Sequence, residues 1–310
     1  SVIELSNTEQ LKANSVFHGQ LASKLDIPKR YYDRIAEVPG LREANVNMIL
    51  HSDDMMKKNH LVRSLDGYAR AFLSDRYKPM DHFFFLNALL PILMEIKGVQ
   101  IFSNSITDSR MYLQVVFTSM EAEIKKGDPI RWGISLSNSE VGMSAITIEQ
   151  FIARLVCMNG AVGESLVRKT HVGRQITEED ISGGLFKEDT IEAEMKALSL
   201  KFRDIVTNHL TDANFKAYVD RMKEARGMEI DNLPRVIEEV TRRYSLSQSD
   251  GAIMLTNISK EGEVNKYGLM NSVTYLAQQV EDFDRQYELE KLGTKILSMN
   301  NAEWSQLNAA

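Results

Sequence analysis

The sequence predicts an α+β protein, with antiparallel β-hairpins and a packed helix in the N-terminal half and a helical C-terminal half. Before residue 177, β-branched and aromatic runs of strand length are joined by short turn-forming segments, which favours antiparallel pairing. After that point, apolar residues recur at spacings of three and four between many charged residues, as in amphipathic helices. We therefore divide the 310 residues into an α+β unit over 1–176 and an acidic helical unit over 177–310.

The first elements expected are two short helices and a hairpin. Residues 28–38 begin with a proline, which suits a first helical turn, and residues 40–50 repeat the apolar spacing of a helix. Asp66-Gly67 then stands between alternating residues, a strong signal for a type I′ turn because both positions tolerate positive φ. The strands of this hairpin are expected near 60–65 and 68–73.

The turn also predicts a register for the hairpin. With Leu65 opposite Tyr68, Arg63 faces Arg70, and like charges placed directly opposite each other are destabilising. Either neighbouring carboxylates neutralise the two arginines, or this face binds an anion such as phosphate. We slightly prefer the anion. The rival interpretation is that a core face is formed here and that the arginines extend past it to solvent. The residues of that core face would be Leu61, Leu65, Tyr68 and Phe72.

A buried helix and further strands complete the N-terminal half. Asp81 is placed to cap a helix that ends at Gly98, with apolar residues all round it and Pro91 as a possible kink. Asn159-Gly160 predicts a turn after a helix or strand over 151–160. The remaining strands are expected at 99–106 with 110–118, at 130–137 with 143–148, and at 161–172.

The C-terminal half begins with an acidic junction at 177–186, which we expect to be flexible. Helical periodicity follows over 187–225, 232–245 and 267–297. The segment at 247–251 is rich in serine and glycine and is interpreted as a break between helices.

Charge is unevenly distributed along the chain, whose net charge is −6. Residues 177–310 hold 16 basic and 24 acidic residues, whereas residues 1–176 hold 21 and 19. The stretch 55–80 is the most basic, with six basic residues against two acidic ones. Such a stretch is either a solvated face balanced by acids elsewhere in the fold or the footprint of a polyanion.

Motifs for several function classes are missing from the sequence. It contains no phosphate-binding loop and no dinucleotide fingerprint, so we expect no ATP or other cofactor. No apolar run has the length of a membrane span, and the single Cys157 rules out an intramolecular disulfide, which fits a cytoplasmic protein. Cys157 could act as a nucleophile with His171 as its base, although a buried structural cysteine is the commoner case. Carboxylates that could hold a metal for nuclease chemistry are Asp75, Asp108, Asp128 and Glu140, but their spacing does not require it.

Basic and aromatic residues alternate in several places, as a groove for single-stranded nucleic acid requires. Cations would follow the phosphates while flat side chains stack on bases. The basic candidates are Arg63, Arg70, Arg76, Lys78, Arg168, Lys169 and Arg174. The aromatic candidates are Tyr68, Tyr77 and Trp132.

Four segments in order resemble a phage- and plasmid-borne family known as a domain of unknown function. They are RAFLSDRYKPMD at 70–81, SNSEVGMSAITIEQFIARLVCMNG at 137–160, KTHVGR at 169–174 and YGLMNSVTYLAQQVEDFDRQYELEKLG at 267–293. The family is similar in its hairpin-plus-helix pattern to single-strand annealing recombinases of the RecT and Red-beta type. That resemblance implies rings or filaments of identical subunits that anneal complementary strands without ATP or metal.

The leading hypothesis is thus a homo-oligomeric protein that binds single-stranded DNA and promotes its annealing in phage or plasmid recombination. Its acidic C-terminal half would support assembly or recruit host or phage recombination proteins. One alternative is a non-catalytic assembly or regulatory protein without a nucleic-acid ligand. A metal-dependent nuclease is the other.

Overall fold

The protein is described by a computed structural model that covers residues 2–4, 10–171 and 188–309. The α+β class is confirmed, with antiparallel sheet in the N-terminal half and helices in the C-terminal half. The predicted junction at 177–186, the boundary between 176 and 177, and Arg174 lie outside the described residues. Among the residues described, no helix has the length and apolar character needed to cross a membrane.

A small sheet with the strand order β1-β2-β4-β3 forms the N-terminal part of the fold. Its first two strands were not predicted, and β2 runs parallel to β4. The strands are β1 (Val2–Glu4), β2 (Gln10–Ala13), β3 (His60–Leu65) and β4 (Tyr68–Ser74). The helices beside them are α1 (Ser15–Lys24), α2 (Lys29–Ile35), α3 (Leu41–Leu50) and α4 (Asp53–Met56), so both predicted short helices are confirmed.

The β3–β4 hairpin confirms the predicted turn but not the whole register. Asp66 and Gly67 have φ angles of 51° and 77°, as a type I′ turn requires. Leu65 pairs with Tyr68 as predicted, but the register shifts between Arg63 and Ser64, and Arg63 pairs with Ala71. The prediction that Arg63 faces Arg70 is therefore wrong, because a bulge at Arg70 takes this residue out of the pairing and re-aims its side chain.

The predicted core face of the hairpin is formed only in part. Phe72 is buried and Leu61 packs against the core, but Leu65 and Tyr68 are exposed near the turn.

Helix α5 (His82–Glu95) begins directly after Asp81 and continues through Pro91. Its buried residues, Phe85, Leu89 and Leu93, share one face and pack on the large sheet. The opposite face carries Phe83 and Met94, which are 67% and 74% exposed. The prediction of a helix buried on all sides is wrong, because the face that carries Phe83 and Met94 stays exposed.

The large sheet is an antiparallel meander with the strand order β5-β6-β7-β8-β9. Its turn between β8 and β9 occupies 155–158, where Met158 has φ 53°, and Asn159 already begins β9. The predicted turn at Asn159-Gly160 is therefore displaced, and residues 151–154 belong to a long β8. The strands are β5 (Val99–Ile106), β6 (Met111–Glu123), β7 (Pro129–Asn138), β8 (Ile146–Arg154) and β9 (Asn159–Lys169).

Seven helices make up the described C-terminal half. The break predicted at 247–251 lies at 244–247, because a reciprocal capping box of Ser247 and Asp250 starts a helix at Gln248. The helices are α6 (Glu188–His209), α7 (Asp212–Arg226), α8 (Leu233–Arg243), α9 (Gln248–Glu261), α10 (Lys266–Ala277), α11 (Phe283–Leu297) and α12 (Asn301–Asn308).

The two halves share hydrophobic clusters. Leu113 and Ile134 of the sheet pack with α5 and with Phe202 of α6, while Trp132 packs with Phe215 of α7. Helix α11 packs on the large sheet through Tyr287, which contacts Tyr112 and Phe151 of the strands. The C-terminal helices therefore help to cover the sheet that supports the residues discussed next.

Candidate nucleic-acid interface

Two carboxylates compensate the arginines of the β3–β4 hairpin. Arg63 Nη2 donates to Asp81 Oδ1, and Arg70 Nη1 donates to Glu140 Oε2 at 3.0 Å. Asp81 precedes α5 and Glu140 follows β7, so neither carboxylate comes from the acidic C-terminal half. We call these four residues, together with His82, the hairpin clamp. Our slight preference for an anion at this place is not supported, because its two positive charges are already paired.

Glu140 connects the hairpin to α5. Its Oε1 accepts a hydrogen bond of 2.8 Å from the backbone N–H of His82, in the first turn of the helix, where a negative charge is favourable. Burial by itself would raise the pKa of Glu140, but the His82 N–H and the Arg70 guanidinium outweigh it and hold the pKa below its usual value. The side chain of Asp81 pairs with Arg63 and makes no capping bond, although its residue occupies the predicted N-cap position.

The hydrogen bonding of His82 favours an uncharged imidazole in this clamp. Burial lowers its pKa, although the charge of Glu140 opposes this effect. Its Nδ1 lies 3.0 Å from Asn138 Nδ2, and since an amide nitrogen only donates, Nδ1 is the acceptor. Protonation of Nδ1 would place a second donor against that amide.

Trp132 offers no free ring face to a base, whereas Tyr77 is buried but belongs to the lining of the cleft that also contains Arg76. Trp132 is 1% exposed and makes an edge-to-face contact with Phe215, with 5.3 Å between ring centroids. Tyr77 is buried, donates its hydroxyl to the Ser139 carbonyl at 3.1 Å and stacks on the ring of His171. The core position of Trp132 corrects the prediction that it stacks on bases, whereas the role of Tyr77 stays a prediction. Tyr68, at the hairpin turn, is 47% exposed and stays accessible.

Arg76 and Arg168 line one cleft of about 850 Å³, which we call the α1–β9 cleft. Its walls come from α1, the end of β4, the loop 142–145 and the residues at the end of β9. Both arginines are exposed, and within the described ranges neither has an ion-pair or hydrogen-bond partner. Lys24, at the end of α1, is the third cation of this lining, and no described carboxylate belongs to it.

A smaller cleft of about 280 Å³ adjoins the first and shares Lys24, Ser74 and Arg76 with it. It adds Lys57 and Lys58, and its lining contains one carboxylate, Asp75. We call the two clefts together the basic groove. Its five cations are Lys24, Lys57, Lys58, Arg76 and Arg168.

Gln20 holds the walls of the α1–β9 cleft together. Its Oε1 accepts from the backbone N–H of Phe72 at 2.9 Å, and its Nε2 donates to the carbonyl of Val141 at 2.7 Å. Gly142 follows with φ +70°, and a Cβ there would lie 2.7 Å from Leu73 Cδ2. The positive φ and the close side chain of Leu73 both favour glycine at position 142.

The remaining predicted cations contribute differently. Lys78 and Lys169 each take part in further interactions, so neither is counted as a free charge. Arg174 lies outside the described residues. Lys24 was not among the predicted site residues, since nothing in the sequence near it distinguishes it from any other lysine that ends a helix.

The sites considered for other chemistry are not assembled in the described part of the chain. Asp128 pairs with Arg154 at 2.6 Å, and among the residues described no group of three or more His, Cys, Asp or Glu could hold a metal ion. Cys157 lies in the turn before β9 beside Glu261, whereas His171 follows the far end of β9, so the two do not meet. Burial raises the pKa of the Cys157 thiol, with Glu261 adding to the effect and Arg154 opposing it.

A family model described as "Domain of unknown function (DUF932)" matches residues 71–307, a range that contains Arg76 and Arg168 but not Lys24. No match was found among curated proteins or among solved structures. Because the model covers well over half of the chain, the protein belongs to the family described as Domain of unknown function (DUF932).

Proposed function

We propose that this protein binds single-stranded DNA along the basic groove and promotes annealing of complementary strands without ATP. The observation that carries the proposal is the groove itself, in which five cations face one carboxylate. Cations that lie close together without partners repel each other, and phosphates of a bound strand remove that repulsion. The exposed ring of Tyr68 offers a stacking surface outside the groove.

The proposal includes assembly and partners. A homo-oligomeric ring or filament would place successive grooves along one strand, in the manner of the RecT and Red-beta recombinases, to which we propose a distant relationship. The acidic half over 177–310 would be repelled by the negatively charged DNA. It would recruit host or phage recombination proteins in the bacterial cytoplasm.

Fluorescence anisotropy with labelled oligonucleotides tests the binding step. We expect the affinity for a single strand to fall as the salt concentration rises. A plot of log affinity against log salt concentration should fall with a slope of about 3.5, since each of five phosphate contacts contributes about 0.7 on a single strand. Mixing two complementary strands that carry a fluorophore and a quencher tests the annealing step, which the protein should accelerate in the absence of ATP and in EDTA. Absence of binding at low salt would refute the proposal.

One surface favours the alternative of an assembly protein without a nucleic-acid ligand. Helix α5 and the edge strand β5 expose apolar side chains, and the sheet register places those of β5 on the face that α5 covers. Exposed patches of this kind mark protein contacts. The residues are Phe83, Leu90, Met94, Ile101 and Ile106.

Light scattering tests whether this surface assembles the protein, and oligonucleotide binding then separates the two candidates. If this surface assembles the protein, the Leu90→Glu/Met94→Glu variant should show a lower mass than the wild type. The Met48→Glu/Met56→Glu variant, altered at two other exposed methionines, should keep the wild-type mass. An assembled protein that binds no oligonucleotide would support the alternative.

A further inference from the structure

The α1–β9 cleft has an apolar interior and a charged surround. Phe72 and Leu73 are buried where they line it, whereas Lys24, Arg76 and Arg168 are exposed. Its volume of about 850 Å³ lies within the range of about 300–1,000 Å³ that is usual for small-molecule sites. A phosphate would interact with the charged residues around the cleft, but moving it into the apolar interior would cost its hydration. The interior therefore suits a flat, weakly polar group attached to an anion.

Two polar atoms of the lining residues have no hydrogen-bond partner within the described chain. They are Ser144 Oγ and His171 Nε2, and both atoms are buried. His171 Nδ1 lies 3.3 Å from the carbonyl oxygen of Lys78, and since a carbonyl only accepts, Nδ1 carries the proton. His171 Nε2 is then a bare acceptor. An acceptor and a hydroxyl on lining residues of an apolar cleft match the polar edge of a nucleobase, which carries N–H donors and carbonyl acceptors. Because both atoms are buried, their side chains must turn into the cleft to meet a base.

We propose that the α1–β9 cleft receives one unpaired nucleobase of the bound strand, while Arg76 and Arg168 hold the phosphates on either side of it. This inference rests on the proposed function and adds a base-binding site to it. A base in a duplex is paired along its polar edge and stacked on both faces, so it enters such a site only after it leaves the duplex. The cleft would thus give the protein a preference for single strands that phosphate contacts alone do not provide.

Gly19 offers a way to fill the cleft without changing its charges. It lies in α1, lines the cleft, and a Cβ built on it has no heavy atom within 4 Å. A leucine at this helical position would extend into open space rather than into a neighbour. Gly19→Ala is the matched control, since it makes the same backbone change and adds only a methyl group.

The experiment measures anisotropy for two oligonucleotides of equal length and charge, one of thymidines and one with abasic sites throughout its central part. Wild-type protein should bind the abasic strand about tenfold more weakly, as the loss of one well-bound base predicts. Gly19→Leu should weaken thymidine binding about tenfold and remove the difference between the two strands. Gly19→Ala should retain both the affinity and the difference, and circular dichroism should show all three proteins folded.

The outcomes separate this inference from the function on which it rests. Equal binding of both strands by the wild type, or a Gly19→Leu protein that still discriminates between them, would overturn the base-binding site and leave phosphate binding intact. Failure of the wild type to bind either strand at low salt would overturn the proposed function as well. Loss of discrimination in a folded Gly19→Leu protein that still binds the abasic strand supports the inference.

Discussion

The arginines of the hairpin clamp and those of the basic groove have opposite environments, although Arg70 and Arg76 stand only six positions apart. Arg70 is paired with Glu140 and its side chain is 18% exposed. Arg76 is exposed and has no partner in the described chain. A buried charge without a partner is costly, whereas an exposed one is solvated by water. The comparison teaches that neighbouring basic residues in a sequence can have different roles. Some stabilise the fold through ion pairs, and others stay available to bind a ligand.

The largest expected effect concerns the groove. We expect Arg76→Ala/Arg168→Ala to weaken binding of single-stranded DNA about 100-fold at low salt, because two charged hydrogen bonds of about 1.5 kcal/mol each are lost. The salt slope should fall by about 1.4, which is two contacts of about 0.7. Anisotropy titrations at several salt concentrations measure both quantities.

The matched control removes two arginines elsewhere. Arg203 and Arg242 are exposed and lie on α6 and α8, outside the groove. Arg203→Ala/Arg242→Ala changes the net charge by the same amount and should leave both affinity and slope nearly unchanged. Equal losses in the two double variants would show that net charge, and not the groove, governs binding.

The next effect concerns the clamp. Glu140→Ala removes the partner of Arg70 and the acceptor of the His82 N–H, so we expect the free energy of unfolding to fall by about 2 kcal/mol. Urea denaturation followed by circular dichroism measures the change. DNA affinity of the folded variant should stay close to that of the wild type.

Glu121 provides the control for the clamp. It pairs with Arg131 at 2.7 Å, but its side chain is more exposed than that of Glu140, so Glu121→Ala should cost less than about 0.5 kcal/mol. If both variants lose the same small free energy, the clamp contributes no more than a surface ion pair.

The smallest effect is a pH dependence of the clamp. Burial lowers the pKa of His82 below its ordinary 6.5, so the unfolded chain binds a proton more readily than the folded one. The free energy of unfolding should therefore fall as the pH drops below about 6.5, and Glu140 adds to the fall only below about 4.5.

Urea titrations at about pH 7.5 and about pH 5.5 bracket the histidine range. The loss of stability on acidification should be smaller in His82→Asn than in the wild type. It should be unchanged in His51→Asn, where the substituted histidine is exposed. An identical loss in His82→Asn and the wild type would contradict the assignment of an uncharged His82.

Local signals predicted much of the fold. The Asp66-Gly67 turn, both early helices and the first hairpin of the large sheet appear where the sequence placed them, because turn conformation and strand periodicity depend on neighbouring residues. One prediction was displaced by a few residues because two local signals lie side by side. The break between helices predicted at 247–251 lies at 244–247, because the capping box of Ser247 and Asp250 starts the next helix at Gln248.

The candidate site was predicted less completely than the fold. Arg76 and Arg168 were named from charge alone, and the structure brings them to one cleft. Trp132 was named for its flat ring and is buried in the core, since sequence spacing around an aromatic residue does not distinguish a packed ring from an exposed one. Lys24 joins the groove only because α1 packs beside β4.

By itself, the sequence determined the α+β class, the type I′ turn and the excess of basic residues over 55–80, since each depends on composition or on residues adjacent in the chain. Only the tertiary structure decided which arginines meet a carboxylate. Glu140 reaches Arg70 from seventy positions away, and a single bulge at Arg70 aims the side chain towards it. Contacts between distant segments depend on how the whole chain packs. Packing therefore decides that the arginines of the clamp meet carboxylates and that those of the groove do not.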